Sequence, residues 1–309
     1  MKVKYLLGIA VILAVIAGVV VFFSLSRDDG DKPLAPKGDV HLLYEITGGA
    51  HKLKDPVYAL ADHMGRIFVA DAGNRVVKVF SKEGQYLFEF GGPGSEKTLS
   101  YPYGIGIIDN DRIIVTDLGA GAIYEFSATG AYIKTWLAPG EKSGPAAVSV
   151  SPEKKVYITD MTRDQVLVFA ENGKLERMIK PLSVGLSAPQ GLAVNKDGTV
   201  WVADGGNYNV KLLKPDGSII MAFDGGPTWP LSTVKGLTVD EKGNIYAADT
   251  LAKTVRIFDK NGGDVGSFGL GRDEKESSLL MPTGLSVDNT GLIYVADQGR
   301  NSIQVWTWK

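Results

Sequence analysis

A short apolar stretch that ends in an aspartate occurs six times along this chain. The six aspartates are Asp71, Asp117, Asp160, Asp204, Asp249 and Asp297. Successive copies lie 46, 43, 44, 45 and 48 residues apart. A period of roughly 40–50 residues is typical of proteins that stack copies of one supersecondary unit. We therefore expect a repeat architecture.

The fourth copy shows what one repeat contains. An apolar run at residues 189–194 is followed by a turn rich in Asn, Asp and Gly, which favours a hairpin. Residues 199–204 are rich in β-branched and aromatic residues and predict a second strand. Residues 210–213 alternate Val and Leu with Lys211 at first, as a half-buried strand would, and residues 218–223 predict a fourth strand.

Each copy therefore predicts four short antiparallel strands and no helix, which is the content of one propeller blade. Six copies predict an all-β fold, a six-bladed β-propeller. The last copy ends on its third strand, so its outermost strand must come from elsewhere. Residues 41–47 have the pattern of a strand, and we expect this N-terminal strand to pair with the last blade and close the ring.

The repeat also resembles a known family. The pattern Pro-x-Gly-Leu-x-Val-Asp, then Gly-x-Ile-Tyr-Val-Ala-Asp, stands at residues 282–288 and 291–297 and recurs with substitutions over residues 56–309. It resembles the NHL repeat. The resemblance implies a six-bladed propeller of the kind that often serves as an interaction platform, although fold alone does not fix function.

The N-terminus has a different character. Lys2 and Lys4 precede an uncharged apolar run at residues 5–23, and nineteen such residues nearly span a bilayer. A cleaved signal peptide is the alternative, but its apolar core is usually shorter, about 7–15 residues. We expect one transmembrane helix within a membrane anchor at residues 1–26, a polar stalk at 27–39 and the propeller at 40–309.

The flanking charges indicate how such an anchor would be oriented. Lysines precede the apolar run and acidic residues follow it, which favours a cytoplasmic N-terminus. The propeller is then expected outside the cytoplasmic membrane, or secreted if the segment is cleaved. The chain has no cysteine, so it contains neither disulfides nor a lipidated cysteine. Its net charge of −2 argues against a nucleic-acid partner.

The chemistry-bearing residues give little support for catalysis. The three histidines, His41, His51 and His63, all precede the end of the first repeat, so several blades cannot supply a histidine metal cluster. Some propellers that resemble this one are amidating lyases with such ligands. No HExxH, GxSxG or phosphate-loop motif occurs. We therefore expect neither catalysis nor a cofactor.

The recurring aspartates leave an alternative open. Symmetry places them near one face of the disc, where Asp204 and Asp249 are candidate ligands for Ca²⁺, a cation that prefers oxygen. A calcium-dependent hydrolase or lyase with its site in the central channel is this second hypothesis. The structural interpretation is that each aspartate accepts hydrogen bonds from the backbone of the turn that follows it.

A partner is expected on the face that carries the turns between second and third strands and the loops between blades. Aromatic and arginine side chains, which interaction surfaces favour, occur there. The candidate binding residues are Arg75, Tyr103, Arg163, Gln190, Asn207, Trp229, Lys235 and Arg300, with Tyr101 and Tyr208 beside them. Our first hypothesis is a membrane-anchored propeller that binds a protein or peptide, or a surface glycan. A structural spacer in a larger surface assembly is a third hypothesis.

Overall fold

The protein is described by a computed structural model that covers residues 40–140, 142–181, 184–270 and 278–308. These residues form six four-stranded antiparallel sheets. The helical segments within them are two single-turn 3₁₀ helices, Gly49–His51 and Gly205–Asn207. The predicted all-β, six-bladed propeller is therefore confirmed.

The strands follow one another blade by blade, after an N-terminal strand β1 at Val40–Ile46. Blade 1 has β2 Pro56–Ala61, β3 Ile67–Asp71, β4 Val76–Phe80 and β5 Tyr86–Phe90; blade 2 has β6 Pro102–Ile107, β7 Arg112–Asp117, β8 Ala122–Ser127 and β9 Tyr132–Leu137. Blade 3 has β10 Pro145–Val150, β11 Val156–Asp160, β12 Gln165–Phe169 and β13 Leu175–Ile179; blade 4 has β14 Pro189–Val194, β15 Val200–Asp204, β16 Asn209–Leu213 and β17 Ile219–Phe223. Blade 5 has β18 Val234–Val239, β19 Ile245–Asp249, β20 Thr254–Phe258 and β21 Asp264–Phe268; blade 6 has β22 Pro282–Val287, β23 Leu292–Asp297 and β24 Ser302–Trp308, with β1 as its fourth strand.

The ring is closed by pairing the two ends of the described chain. β1 runs antiparallel to β24, with Val40 opposite Trp308 and Ile46 opposite Ile303. The register shifts between Leu42 and Tyr44. The predicted closing strand is confirmed and begins one residue earlier than expected. β24, which would otherwise be an unpaired edge, is thereby covered.

The first strands of neighbouring blades pack against one another around the central axis. This crowding explains why several of them carry glycine. A β-carbon on Gly104 would lie 2.3 Å from the carbonyl oxygen of Ala146, and one on Gly236 would lie 2.2 Å from that of Thr283. Only glycine lets the backbones of adjacent blades approach so closely.

The third strands are buried on both faces, even where they carry charge. Lys78, Lys211 and Arg256 are each at most 4% exposed. The expectation that Lys211 would face solvent on a half-buried strand is therefore wrong. Its ammonium instead lies 2.5 Å from a carboxylate oxygen of Asp204 and donates to the carbonyl of Gly185. Both sides of a blade are covered by neighbouring blades, so a polar side chain here must find its partners inside the protein.

The two faces of the disc differ in the connections they carry. We call the top face the one with the turns between second and third strands and the loops between blades. The bottom face carries the turns between first and second strands and between third and fourth strands. Because β24 runs from top to bottom, Val40 lies at the bottom face opposite Trp308.

The predicted anchor at residues 5–23 and stalk at 27–39 lie outside the described residues. Within the part of the chain that the structure describes, no helix has the length and apolar character needed to cross a membrane.

Candidate functional site

The repeated aspartates hold the loops of the top face in place. All six are 0% exposed, and each lies at the end of the second strand of its blade. Each accepts a backbone N–H from the inter-blade loop 16 or 17 residues earlier in the chain. The carboxylate of Asp117, for example, accepts from the amides of Ser100 and Tyr101 at 2.7 and 2.8 Å.

The sequence interpretation placed these donors in the turn after each aspartate, and that is only partly right. Asp117 does accept from Ala120 in the following turn, at 3.0 Å. The donors common to all six blades, however, come from the preceding inter-blade loop. Each carboxylate therefore fastens that loop to the end of a strand, which makes the top face rigid.

The carboxylates proposed as calcium ligands are engaged in these contacts. Asp204 accepts from Ser187 and from the Lys211 ammonium, so a cation of the protein already occupies one side of it. Asp249 accepts from the amides of Ser232 and Thr233 at 2.9 and 3.0 Å. Among residues 40–140, 142–181, 184–270 and 278–308, no group of three or more His, Cys, Asp or Glu side chains could hold a metal ion. The calcium site stays a prediction.

Polar side chains meet over the central channel at the top face. The second residues of the first strands are Val57, Tyr103, Ala146, Gln190, Lys235 and Thr283. The Tyr103 hydroxyl donates to Gln190 Oε1 at 3.4 Å, although a whole blade lies between them. The corresponding residue of the intervening blade is Ala146, and its small side chain leaves room for the contact between Tyr103 and Gln190. We call Tyr103, Gln190 and Lys235 the channel mouth.

A second contact spans the channel in the same way. The Gln298 side chain of blade 6 donates to the Tyr101 hydroxyl, before blade 2, at 3.5 Å. Burial raises the pKa of Tyr101, and the nearby charge of Asp55 raises it further. Burial also raises the pKa of Tyr103. Both phenols are therefore hydrogen-bond donors at neutral pH.

Lys235 is the cation of the channel mouth. Burial lowers its pKa, and the charge of Asp55 only partly opposes this. In the described part of the chain, no carboxylate oxygen lies within 4.0 Å of its ammonium. The group is thus partly desolvated without an ion-pair partner, which makes it receptive to an anionic group.

The remaining predicted residues are distributed around the channel mouth. Arg75 and Arg163 are exposed, in the second-to-third-strand turns of blades 1 and 3. Asn207 donates to Asp204 and Gly185. Arg300 donates to the Ser278 carbonyl at 2.7 Å. These last two side chains help to hold the loops of their own blades.

Trp229 lies inside its own inter-blade loop and is only 9% exposed. The Arg256 guanidinium stacks on its ring at 4.1 Å and donates to its carbonyl oxygen. Arg256 also forms an ion pair with Asp264. The structure therefore gives Trp229 a packing role in blade 5, apart from the channel mouth.

Exposed apolar side chains lie on the top face of blades 4 and 5. Tyr208 is 58% exposed and has a left-handed φ of 54°, which is unfavourable for a bulky side chain. Leu251, in the corresponding turn of blade 5, is 73% exposed. Sequence analysis missed Leu251. It occupies the position of Gly73 and Gly206 in other blades, and a comparison of the repeats could have revealed this difference.

Comparison with known proteins agrees with this architecture. The model of the NHL repeat matches residues 186–211 and 279–306. E3 ubiquitin-protein ligase NHLRC1 of Mus musculus is 31% identical over 158 residues, which are 49% of this chain and 38% of that protein. The chain thus spans well under half the length of that relative. NHL repeat-containing protein 3 of Mus musculus is 24% identical over 272 residues, covering 78% of this chain and 75% of that protein.

Solved structures share the fold at low sequence identity. Virginiamycin B lyase from Staphylococcus aureus superposes with a TM-score of 0.64 at 15% identity, over 87% of this chain and 99% of that one. A protein of unknown function from Bacteroides thetaiotaomicron gives 0.68 at 18% identity, over 89% and 73%. Two segments of the chain thus match the NHL repeat, and the described residues form a six-bladed β-propeller.

Proposed function

We propose that this propeller is a non-catalytic platform that binds a protein or peptide through its top face. The observation that carries the proposal is the partly desolvated Lys235 in the channel mouth. The exposed side chains of Tyr208 and Leu251, on adjacent blades of the same face, add apolar contact area. Protein interaction sites often combine such apolar anchors with a few polar groups of fixed position.

The rigidity of the top face supports the same function. The aspartates fasten every inter-blade loop, so few loop conformations are lost when a partner binds. A preorganised surface retains more of its interaction energy as affinity. The left-handed φ of Tyr208 holds its ring outward at a cost in backbone energy, and strain of this kind concentrates at functional positions.

The proposal extends to location. Residues 5–23 would anchor the protein in the cytoplasmic membrane and leave the propeller outside the cytoplasm. The support is the length of the apolar run and the position of the lysines before it and the acidic residues after it.

Partner binding is tested by affinity capture with the full-length chain in a nonionic detergent. Leu251→Ser removes an exposed apolar side chain from the top face. Met64→Ser is its matched control, because Met64 is 67% exposed in a bottom-face turn. We expect a partner that the wild type and Met64→Ser retain and Leu251→Ser loses. Equal retention by both variants would contradict a top-face site.

The proposed location is tested by thiol labelling. Since the natural chain has no cysteine, Met64→Cys introduces a single exposed thiol. A membrane-impermeant maleimide should label it in intact cells. Labelling only after lysis would place the propeller in the cytoplasm and overturn this part of the proposal.

A further inference from the structure

A cavity of about 220 Å³ opens on the bottom face between blades 5 and 6. Its walls include the first-to-second-strand turns of both blades and the ring of Trp308. In each of blades 1–5 a turn joins the third and fourth strands on this face. Blade 6 has no such turn, because its third strand β24 and fourth strand β1 come from opposite ends of the described chain.

Two other blade junctions show what fills the equivalent space. In blade 1, Arg66 binds Asp62 at 2.7 Å and lies over the ring of Phe68 at 5.4 Å. Its guanidinium also donates to the carbonyl of Ala128, in the third-to-fourth-strand turn of blade 2. Arg66 thus binds a carboxylate and an aromatic ring of its own blade and connects them to the next blade.

Blade 2 repeats this arrangement. Arg112 occupies the position of Arg66 and binds Asp109 through two nitrogens, at 2.7 and 2.9 Å. It also donates to the carbonyl of Glu171, in the third-to-fourth-strand turn of blade 3. The bond to Arg112 lowers the pKa of Asp109. The protein therefore uses a guanidinium twice to bridge adjacent blades at the bottom face.

At the junction of blades 5 and 6 the carboxylates and aromatic rings are present and the arginine is not. Asn244 stands in its place, and its amide reaches only the Asp240 carboxylate of its own turn, at 2.8 Å. Tyr246 and Trp308 supply the aromatic wall, with ring centroids 6.3 Å apart. The cavity thus lies at a junction that has neither the bridging arginine of blades 1 and 2 nor a third-to-fourth-strand turn on its second blade.

The charges of this cavity also favour a cation. Its lining contains the carboxylates of Asp240, Glu241 and Asp288 and one ammonium, that of Lys242. Asp240 is engaged by its own turn, which donates to both of its oxygens. Among the described residues, the Tyr294 hydroxyl, at 3.0 Å, is in contrast the only donor to Asp288 Oδ2, and a carboxylate oxygen has room for a second donor.

We propose that this cavity binds the guanidinium of an arginine side chain on a partner protein. The guanidinium would donate to Asp288, a carboxylate of the second blade of the junction, as Arg112 does to Glu171, and it would stack on Trp308. Arginine suits the site because its planar group combines several donors with a face that stacks on aromatic rings. The site lies on the face opposite to the channel mouth, so it does not depend on the function proposed above.

The test uses the full-length chain labelled with 5-fluorotryptophan and observed by ¹⁹F NMR in nonionic detergent. The chain has five tryptophans, and Trp308→Phe identifies the resonance of Trp308. The probes are N-acetylarginine methylamide and its neutral isostere N-acetylcitrulline methylamide. We expect the arginine probe to shift the Trp308 resonance saturably, and the citrulline probe to bind at least about fivefold more weakly because it lacks the charge.

Variants locate the binding site. Asp288→Asn should weaken binding of the arginine probe about fivefold or more, since it removes the charged acceptor. Glu241→Gln is a second variant at the lining and should weaken binding less. Asp62→Asn is the matched control, because that carboxylate is already paired with Arg66, and it should leave binding unchanged. The four other tryptophan resonances report whether each variant is folded.

Three results would overturn the proposal. They are equal shifts from the citrulline probe, absence of a saturable shift at Trp308, and unchanged binding by both Asp288→Asn and Glu241→Gln. N-acetyllysine methylamide separates guanidinium recognition from charge alone. If it binds as well as the arginine probe, the assignment to a guanidinium is wrong.

Discussion

Replacement of Lys211 by methionine should destabilise the propeller strongly. The side chains of Lys211 and Asp204 are only 3% and 0% exposed, and the nitrogen and oxygen lie 2.5 Å apart. Methionine preserves most of the apolar stem but leaves the Asp204 charge buried without its cation. Removing one partner of such a pair costs about 3–5 kcal/mol in the free energy of unfolding. At about 2 °C per kcal/mol for a domain of this size, Tm should fall by about 6–10 °C.

The assay is thermal unfolding of the full-length chain in detergent, followed by circular dichroism. Lys214→Met is the matched control, because Lys214 is exposed just beyond the same strand and its replacement should cost less than about 0.5 kcal/mol. A double variant, Lys211→Met with Asp204→Asn, tests the cause. Asparagine can still accept the Ser187 amide but carries no charge, so the double variant should be more stable than Lys211→Met alone.

Two results would refute this reasoning. If Lys211→Met costs less than about 1 kcal/mol, the pair is not desolvated as its burial indicates. If the double variant is less stable than Lys211→Met, the uncompensated carboxylate is not the source of the loss.

Three further predictions concern the ring, the channel mouth and calcium. Deletion of Val40–Ile46 exposes the edge of β24 and should lower the urea midpoint of the whole domain; an unchanged midpoint would contradict closure by β1. Lys235→Met should raise Tm because it removes a partly desolvated ammonium. Burial lowers the folded-state pKa of Lys235. The destabilisation caused by its charged form is therefore present below that pKa and disappears as pH rises toward 10.5. The gain in Tm should shrink over the same range, and a constant gain would contradict this cause. Calcium should not change Tm, since Asp204 and Asp249 are already engaged; a calcium-dependent rise that Asp204→Ala with Asp249→Ala abolishes would instead support the hydrolase or lyase hypothesis.

Much of the fold could be predicted because the same strand pattern occurs six times in the sequence. A turn residue or glycine that is ambiguous in one copy is clear when compared across six. The closing strand could also be predicted, since the last copy lacks a fourth strand and the region before the first copy has a strand pattern. The alternating pattern misplaced Lys211 because it assumes that one face of the strand is exposed to solvent. In a propeller the next blade covers that face, and the lysine is buried beside Asp204 on the adjacent strand of its own blade.

The site was predictable in part for a related reason. Tyr103, Gln190 and Lys235 hold the same position in three repeats, so the repeat alone places them together around the axis. It does not show that the Tyr103 hydroxyl reaches across a blade to Gln190, which depends on the size of the side chain between them. Packing of Trp229 on Arg256 likewise depends on a loop path that no pattern in the sequence specifies.

The pairing of β1 with β24 has a practical consequence for any attachment at the N-terminus. Val40 is opposite Trp308 at the bottom face, so whatever precedes residue 40 joins the propeller on that side. A sensor surface coupled directly at Val40 would therefore leave the channel mouth and its surrounding loops open to a ligand in solution. The same coupling would crowd the cavity beside Trp308, so arginine binding is better measured with the N-terminus uncoupled.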